Sequence, residues 1–178
     1  MLYAFGFERI GVVASDLYFI DPDPGPGQVG PEQGVRVEVR LLEPGALRGS
    51  IYSARPIEVD RAIWRADLLE SVEHPGSLDR AHHHPRFQGW EPGTRRFVKE
   101  MTANPIAWVG RYLADVDGLL EAAGLTGDDI APSDADELRG AVPDILDAVR
   151  RLLDRVRAGE LARPPSEEAV ESARVSWL

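Results

Sequence analysis

The chain has 178 residues, and its 30 acidic residues outnumber its 20 basic ones, so that the formal net charge is −10. This length predicts one domain. The acidic balance makes nucleic acid an unlikely partner, because the phosphate backbone repels such a protein. The sequence has no cysteine, which excludes disulfides, thiolate nucleophiles, iron–sulfur clusters and cysteine-based zinc sites.

No segment of the sequence has the features of a targeting signal or a membrane span. Residues 1–9 lack the basic region and the unbroken apolar stretch of a secretory signal. The longest apolar run, residues 10–14, is far shorter than the roughly 20 residues that cross a bilayer. We therefore expect a cytoplasmic protein that does not bind membranes. Nineteen of the 20 basic residues are arginine, a composition typical of GC-rich bacterial genomes.

The first half of the chain shows the period-2 hydrophobic pattern of β-strands. In residues 35–41 every odd position is apolar and every even position is charged, which predicts a strand with one buried and one solvent-facing side. Further strands are predicted over 9–14, 16–20, 50–59 and 62–70. In the last of these, Ala62, Trp64, Ala66 and Leu68 share one face, whereas Arg65 and Asp67 share the other.

Residues 21–33 interrupt this pattern, because seven of these 13 residues are proline or glycine. Such a segment cannot form a regular ladder of backbone hydrogen bonds. We expect a long loop between two strands, and a lid over a binding site is the alternative interpretation.

After about residue 93 the apolar residues recur at helical spacing. Helices are predicted over 94–101, from Pro105 to Gly124, from Pro143 to Gly159, and from Ser166 to about residue 176. Residues 1–178 are thus predicted to form a single α+β domain. Its β-rich lobe, residues 1–92, supplies a mainly antiparallel sheet, and three to four helices from residues 93–178 cover that sheet.

Three of the four histidines are consecutive and are followed by Pro85. On an extended segment His82 and His84 point to one face and His83 points to the other. Side chains on one face lie roughly 6–7 Å apart along a strand. Two imidazoles at this spacing are able to share a divalent transition metal, the one cofactor that the sequence suggests.

Two histidines are too few for a tight metal site, so a third ligand has to come from a neighbouring strand. Residues 75–77, Pro-Gly-Ser, are typical of a turn and predict that residues 62–70 pair with residues 81–87. Asp67 is then the nearest candidate on the charged face, with His74 and Glu70 as alternatives. Arg65, on the same face, is a candidate clamp for an anion.

Two other interpretations of the histidines remain open. They are either a polar surface strip that hydrogen-bonds to Asp67 and Glu70, or catalytic groups that need no metal. Better-known motifs are absent from the sequence. It has no His-Glu-x-x-His, no glycine-rich nucleotide fingerprint and no Gly-x-Ser-x-Gly. No histidine follows His84, which argues against a cupin-type site.

Five residues within 62–87, namely Arg65, Asp67, His82, His84 and Pro85, form an Arg-x-Asp strand followed by a His-x-His-Pro strand. This pair resembles small bacterial domains associated with toxin–antitoxin loci. The rest of the chain is similar to uncharacterised bacterial proteins, of actinobacterial type. The resemblance implies a compact β-rich toxin that acts on RNA through these polar residues, although the acidic charge of the chain disfavours an RNA substrate.

The sequence leaves two functional classes open. The default is an interaction or structural module that binds a partner protein or a second copy of itself. The alternative is a metal- or histidine-dependent enzyme, a hydrolase or a toxin. In it His82 and His84 are ligands or the general base, Asp67 is a ligand or orients a histidine, and Arg65 is an anion clamp. An enzyme requires these four residues to converge in a concavity, whereas a module presents them on a flat surface.

Overall fold

The computed structural model describes residues 1–25, 28–46 and 56–161. It confirms the α+β class, with an antiparallel sheet from the N-terminal half and helices after it. The five strands of the sheet lie side by side in chain order: β1 (Leu2–Gly6), β2 (Ile10–Ile20), β3 (Pro31–Pro44), β4 (Ile57–Ser71) and β5 (His82–His84). A two-stranded ribbon, β6 (Phe87–Gln88) and β7 (Glu91–Pro92), follows the sheet.

Alternation along β3 and β4 separates the sheet into two chemically different faces, as the sequence predicts. The face that we call the helix face is apolar and carries Val35, Val37, Val39, Trp64, Ala66 and Leu68, all without solvent exposure. The opposite face, which we call the pocket face, carries Arg36, Glu38, Arg65, Asp67, His82 and His84. One layer of the molecule therefore forms the hydrophobic core, and the other buries charge.

The helices are α1 (Lys99–Ala103), α2 (Pro105–Ala114), α3 (Val116–Ala123) and α4 (Asp134–Arg157), with a single 3₁₀ turn at Gly127–Asp129. Helix α4 packs against β2 and β3, and α3 packs against β4. Pro105 is the first residue of α2, where its missing N–H needs no partner. Gly124 ends α3 with a φ of 76°, a conformation that favours glycine.

Several predicted boundaries are wrong. The two strands predicted over 9–14 and 16–20 form one continuous strand, β2, which begins at Ile10, and residues 57–59 and 62–70 both belong to β4. Residues 50–55 lie outside the described residues. The helix predicted over 105–124 is divided at Asp115, whose side chain accepts a hydrogen bond from the Gly118 N–H and thereby caps α3.

The helix predicted to open at Pro143 begins nine residues earlier, because Pro143 lies inside α4. A proline in a helix interior lacks a hydrogen-bond donor and is unfavourable by about 3 kcal/mol. Apolar side chains on both sides of it, such as Leu138 and Ile145, are fully buried and hold the helix across this position. Asp134, predicted to lie before the helix, is its first residue, and its carboxylate accepts from the Glu8, Arg9 and Ala131 N–H groups.

The helix predicted after Ser166 lies outside the described residues. Within the described ranges, no helix is both long and apolar enough to cross a membrane.

Candidate metal centre

The predicted pairing of residues 62–70 with the histidine segment is confirmed. Its register places polar residues of β4 directly opposite histidines of β5. Asp67 on β4 lies opposite His82 on β5, and Arg65 lies opposite His84. On the other side of β4, Asp67 lies opposite Arg36. Since directly opposed residues share a face, Asp67, His82 and His84 come together on the pocket face, and His83 points to the helix face.

Hydrogen bonds to main-chain carbonyls determine which nitrogen of each histidine carries its proton. His82 Nδ1 lies 2.8 Å from the Arg80 carbonyl oxygen, and His84 Nδ1 lies 2.6 Å from the Gly93 carbonyl oxygen. A carbonyl oxygen only accepts, so both Nδ1 atoms are donors. The Nε2 atom of each neutral ring is therefore left with a bare lone pair.

Both Nε2 atoms lie close to the same carboxylate oxygen. Asp67 Oδ2 lies 3.4 Å from His82 Nε2 and 3.7 Å from His84 Nε2. The other oxygen, Oδ1, accepts a 2.6 Å hydrogen bond from Arg36 Nε. With neutral rings, three electron-rich atoms face one another without a proton between them, and a cation or a hydrogen-bond donor bound at their centre makes the arrangement favourable.

Burial keeps both histidines in the neutral form that a metal requires. His82 and His84 are 3% and 4% exposed, and Asp67 is 1% exposed. Burial lowers the pKa of each histidine below its usual value, although the carbonyl hydrogen bond and the Asp67 charge oppose this. Neutral rings with an oriented Nε2 lone pair are the form in which histidine binds metals.

The separations fit a metal ion. The three ligand atoms lie within 4.8 Å of one another. Bonds from zinc to histidine nitrogen or carboxylate oxygen are about 2.0–2.2 Å long, which places ligand atoms of a tetrahedral site about 3.4 Å apart. Two nitrogens and one oxygen make a ligand set suited to zinc or ferrous iron.

The cluster opens into a pocket of about 370 Å³. Its lining combines the three ligands with arginines, a carboxylate and apolar groups: Arg36, Arg65, Arg95, Glu32, Phe19, Leu69, Pro92 and Gly93. A volume of this order accommodates a small organic molecule. The pocket gives such a molecule direct access to the cluster.

The remaining candidates from the sequence occupy different places. Arg65 lines the pocket, but its guanidinium pairs with Glu38 at 2.7 Å and lies over the Phe87 ring. His74 is exposed and pairs with Asp79. Glu70 is buried and accepts hydrogen bonds from the Gly76 N–H and from Gln33. Neither His74 nor Glu70 belongs to the cluster.

Sequence reasoning missed the groups that hold the ligands in place. The first is Arg36, whose place on the charged side of β3 is visible in the sequence, although its register against Asp67 is not. The second is the Gly93 carbonyl. Residues 94–98, predicted to begin a helix, are instead extended, and Arg96 exchanges two backbone hydrogen bonds with His83. Because of this pairing α1 begins only at Lys99, and the Gly93 carbonyl lies within hydrogen-bond distance of the His84 ring.

Comparisons of the chain with protein-family models, with curated proteins and with solved structures find no match. The resemblance to toxin–antitoxin domains stays a prediction.

Proposed function

We propose that this protein is a mononuclear metal-dependent enzyme in which Asp67, His82 and His84 hold a divalent zinc or iron ion. The observation that carries the proposal is the convergence of two bare Nε2 lone pairs on one buried carboxylate oxygen. A site selected only for stability would place a hydrogen-bond donor there, because buried acceptors without a donor are unfavourable by about 1–3 kcal/mol.

The surrounding contacts support a metal ion rather than a proton as the cation that this site binds. Burial disfavours protonation of both imidazoles. Each ring is oriented by a carbonyl, and the carboxylate is oriented by Arg36. Histidine ligands held through Nδ1–H by a carbonyl, and a ligating carboxylate that is itself hydrogen-bonded, are the recurrent support of protein metal sites.

An enzyme is favoured over an interaction module because Arg65, Asp67, His82 and His84 all line one pocket instead of a flat surface. Structural zinc sites are closed by four protein ligands, whereas catalytic sites keep a position open. A set of three ligands that faces a pocket is of the second kind. The ion would supply Lewis acidity, and the chain orients the ligands, excludes bulk water and positions the substrate.

The first test is calorimetric titration of tag-free, chelator-treated protein with zinc. We expect stoichiometric binding with a submicromolar Kd, since three preoriented ligands are present. The double variant His82→Ala/His84→Ala should lose this binding. Binding that is weak, or equal in the double variant, would overturn the proposal.

A matched control comes from the same tripeptide. His83→Phe changes the central histidine, which faces away from the pocket, and should retain stoichiometric zinc binding. Substitution of zinc by cobalt adds a spectroscopic measurement, because the visible bands of Co²⁺ report its coordination number. A visible spectrum that changes when a small coordinating anion is added shows an exchangeable position on the ion and supports a catalytic site, whereas a spectrum that does not change contradicts it.

A further inference from the structure

The pocket around the candidate metal centre is rich in arginine, although the protein as a whole is acidic. Arg36, Arg65 and Arg95 all line it. Arg36 and Arg65 stand directly beside the ligands, because Arg36 is the cross-strand neighbour of Asp67, and Arg65 is that of His84. A group bound between these two guanidinium groups is therefore adjacent to the metal position.

Each guanidinium pairs with a carboxylate, which for Arg36 is the candidate ligand Asp67 and for the other two lies outside the metal cluster. Arg36 donates from Nε to Asp67, Arg65 donates to Glu38, and Arg95 donates to Asp21 and Gln28. The three side chains are also partly open to the pocket, with exposed fractions of 29%, 16% and 36%. A guanidinium carries five N–H donors. Arg36 uses Nε for Asp67, and its terminal N–H groups are suited to a ligand.

The charge balance of the pocket favours an anion. Asp67 and Glu32 are the carboxylates in its lining. With a divalent ion bound, the pocket has a net positive charge even when Asp21 and Glu38, the partners of Arg95 and Arg65, are included. Such a field attracts and orients small anions.

The remaining walls are apolar. Phe19, Leu69 and Pro92 line the same pocket. An inorganic ion would leave this surface without contacts. An organic body attached to the anionic group would cover it.

We propose that the pocket binds a small organic anion, whose carboxylate or phosphate group lies between Arg36 and Arg65 beside the metal and whose apolar part contacts Phe19, Leu69 and Pro92. This inference rests on the proposed metal centre. Arginine recognises both oxyanions through paired N–H donors, so the two head groups share one recognition chemistry.

The test uses zinc-saturated protein and three probes of similar size: benzoate, phenyl phosphate and benzamide. We expect one of the two anions to bind at least about tenfold more tightly than neutral benzamide, as charge-assisted hydrogen bonds require. Whichever of the two anions binds more tightly shows whether the pocket prefers a carboxylate or a phosphate group. In cobalt-loaded protein the same anion should shift the visible spectrum, because it binds next to the ion.

Arg65→Gln, at saturating zinc, should weaken binding of the preferred anion by at least about tenfold. Arg40 also pairs with Glu38, so that carboxylate keeps a partner in the variant. The matched control is Arg150→Gln, which removes one exposed arginine from α4 and should bind the anion as the wild type does.

The outcomes separate the two proposals. Stoichiometric zinc binding together with equal affinity for benzoate, phenyl phosphate and benzamide overturns the anion site and leaves the metal centre in place. The same conclusion follows if Arg65→Gln binds the anion as tightly as the wild type. Failure of zinc to bind overturns the proposed function and, with it, this inference.

Discussion

His83 and its two neighbours, His82 and His84, are identical in chemistry and adjacent in sequence, yet the two faces of β5 give them opposite environments. His83 packs edge-on against Trp108 and Tyr112 on the helix face, with ring centroids 5.0 and 5.4 Å away. Its Nδ1 is buried without a hydrogen-bond partner among the described residues. His82 and His84 instead donate to carbonyls and aim their Nε2 atoms at a carboxylate.

Burial alone does not distinguish a histidine of the packed core from one in the candidate metal site. All three histidines are at most 5% exposed. The difference lies in what the rings contact, which is aromatic carbon for His83 and convergent acceptors for the other two. The helix face packs aromatic rings around His83, whereas on the pocket face acceptor atoms converge at the place where we propose a bound ion. Protein sites commonly depart from stability rules where function requires it.

The largest predicted effect is a loss of stability when a buried side chain is removed from the helix face. Trp64 has no solvent exposure and stacks on Tyr112 with centroids 4.8 Å apart. We expect Trp64→Ala to lower the free energy of unfolding by about 3–5 kcal/mol, from lost burial and the cavity left behind. Urea unfolding measures this change. Trp90, which is 63% exposed, is the matched control, and a loss of similar size in Trp90→Ala would contradict the prediction.

The second prediction uses pH to test the environment of His83. Burial lowers the pKa of His83 to about 4, from a usual value of 6.5. Between these values the unfolded chain binds a proton at this position that the folded chain does not bind, so stability falls as the pH falls from about 6.5 to about 4. The contribution of this residue is about 3 kcal/mol over that window and is constant above it.

Urea unfolding of wild-type protein and His83→Phe, both with a chelator present, measures this contribution. The acid-induced loss of stability between pH 6.5 and pH 4 should be about 3 kcal/mol smaller in the variant, since the other titrating groups are common to both proteins. Equal losses in the two proteins would mean that His83 is protonated as easily in the folded state as in the unfolded chain.

The third prediction concerns the mismatch on the pocket face. Asp67→Asn replaces a carboxylate oxygen by an amide N–H group that is able to donate to the bare Nε2 atoms. We expect the stability of the metal-free protein to fall by no more than about 1 kcal/mol. Zinc at a hundredfold excess over its Kd should stabilise the wild type by about 2.7 kcal/mol and the variant hardly at all.

Unfolding curves with and without zinc test both parts of this prediction. A variant that is strongly destabilised without metal would show that the role of Asp67 is to pair with Arg36 and not to bind a metal. A variant that keeps the stabilisation by zinc would place the metal elsewhere. Leu69→Ala, a change on the same face that removes no ligand, is the control for the effect of zinc.

Parts of this site were predictable from the sequence because they depend on local periodicity and one short connection. Alternation in residues 62–70 places Asp67 on the charged face, and the Pro-Gly-Ser turn brings that strand back beside the histidines. Three consecutive histidines on a strand must divide between two faces. These inferences use only the two-residue repeat of a strand and the geometry of a hairpin.

The supporting groups depend on tertiary contacts that periodicity does not encode. The register that places Arg36 opposite Asp67 is set by two strands whose pairing includes irregularities near Arg40. The Gly93 carbonyl reaches His84 because Arg96 forms two backbone hydrogen bonds with His83 of β5 before α1 begins. Likewise, Pro143 is a strong local signal for a helix start, and packing of α4 against the sheet overrides it.

The smallest predicted effect belongs to the fourth histidine. His74 was an alternative third ligand on the sequence alone, but its side chain is 65% exposed and pairs with Asp79, away from the cluster. His74→Ala should change the free energy of unfolding by less than about 0.5 kcal/mol, as is usual for exposed pairs, and should leave the Kd for zinc unchanged in calorimetry. A loss of zinc affinity in this variant, with Asp67→Asn retaining it, would move the third ligand from β4 to the loop that follows it and would break the assignment of the site to the pocket face.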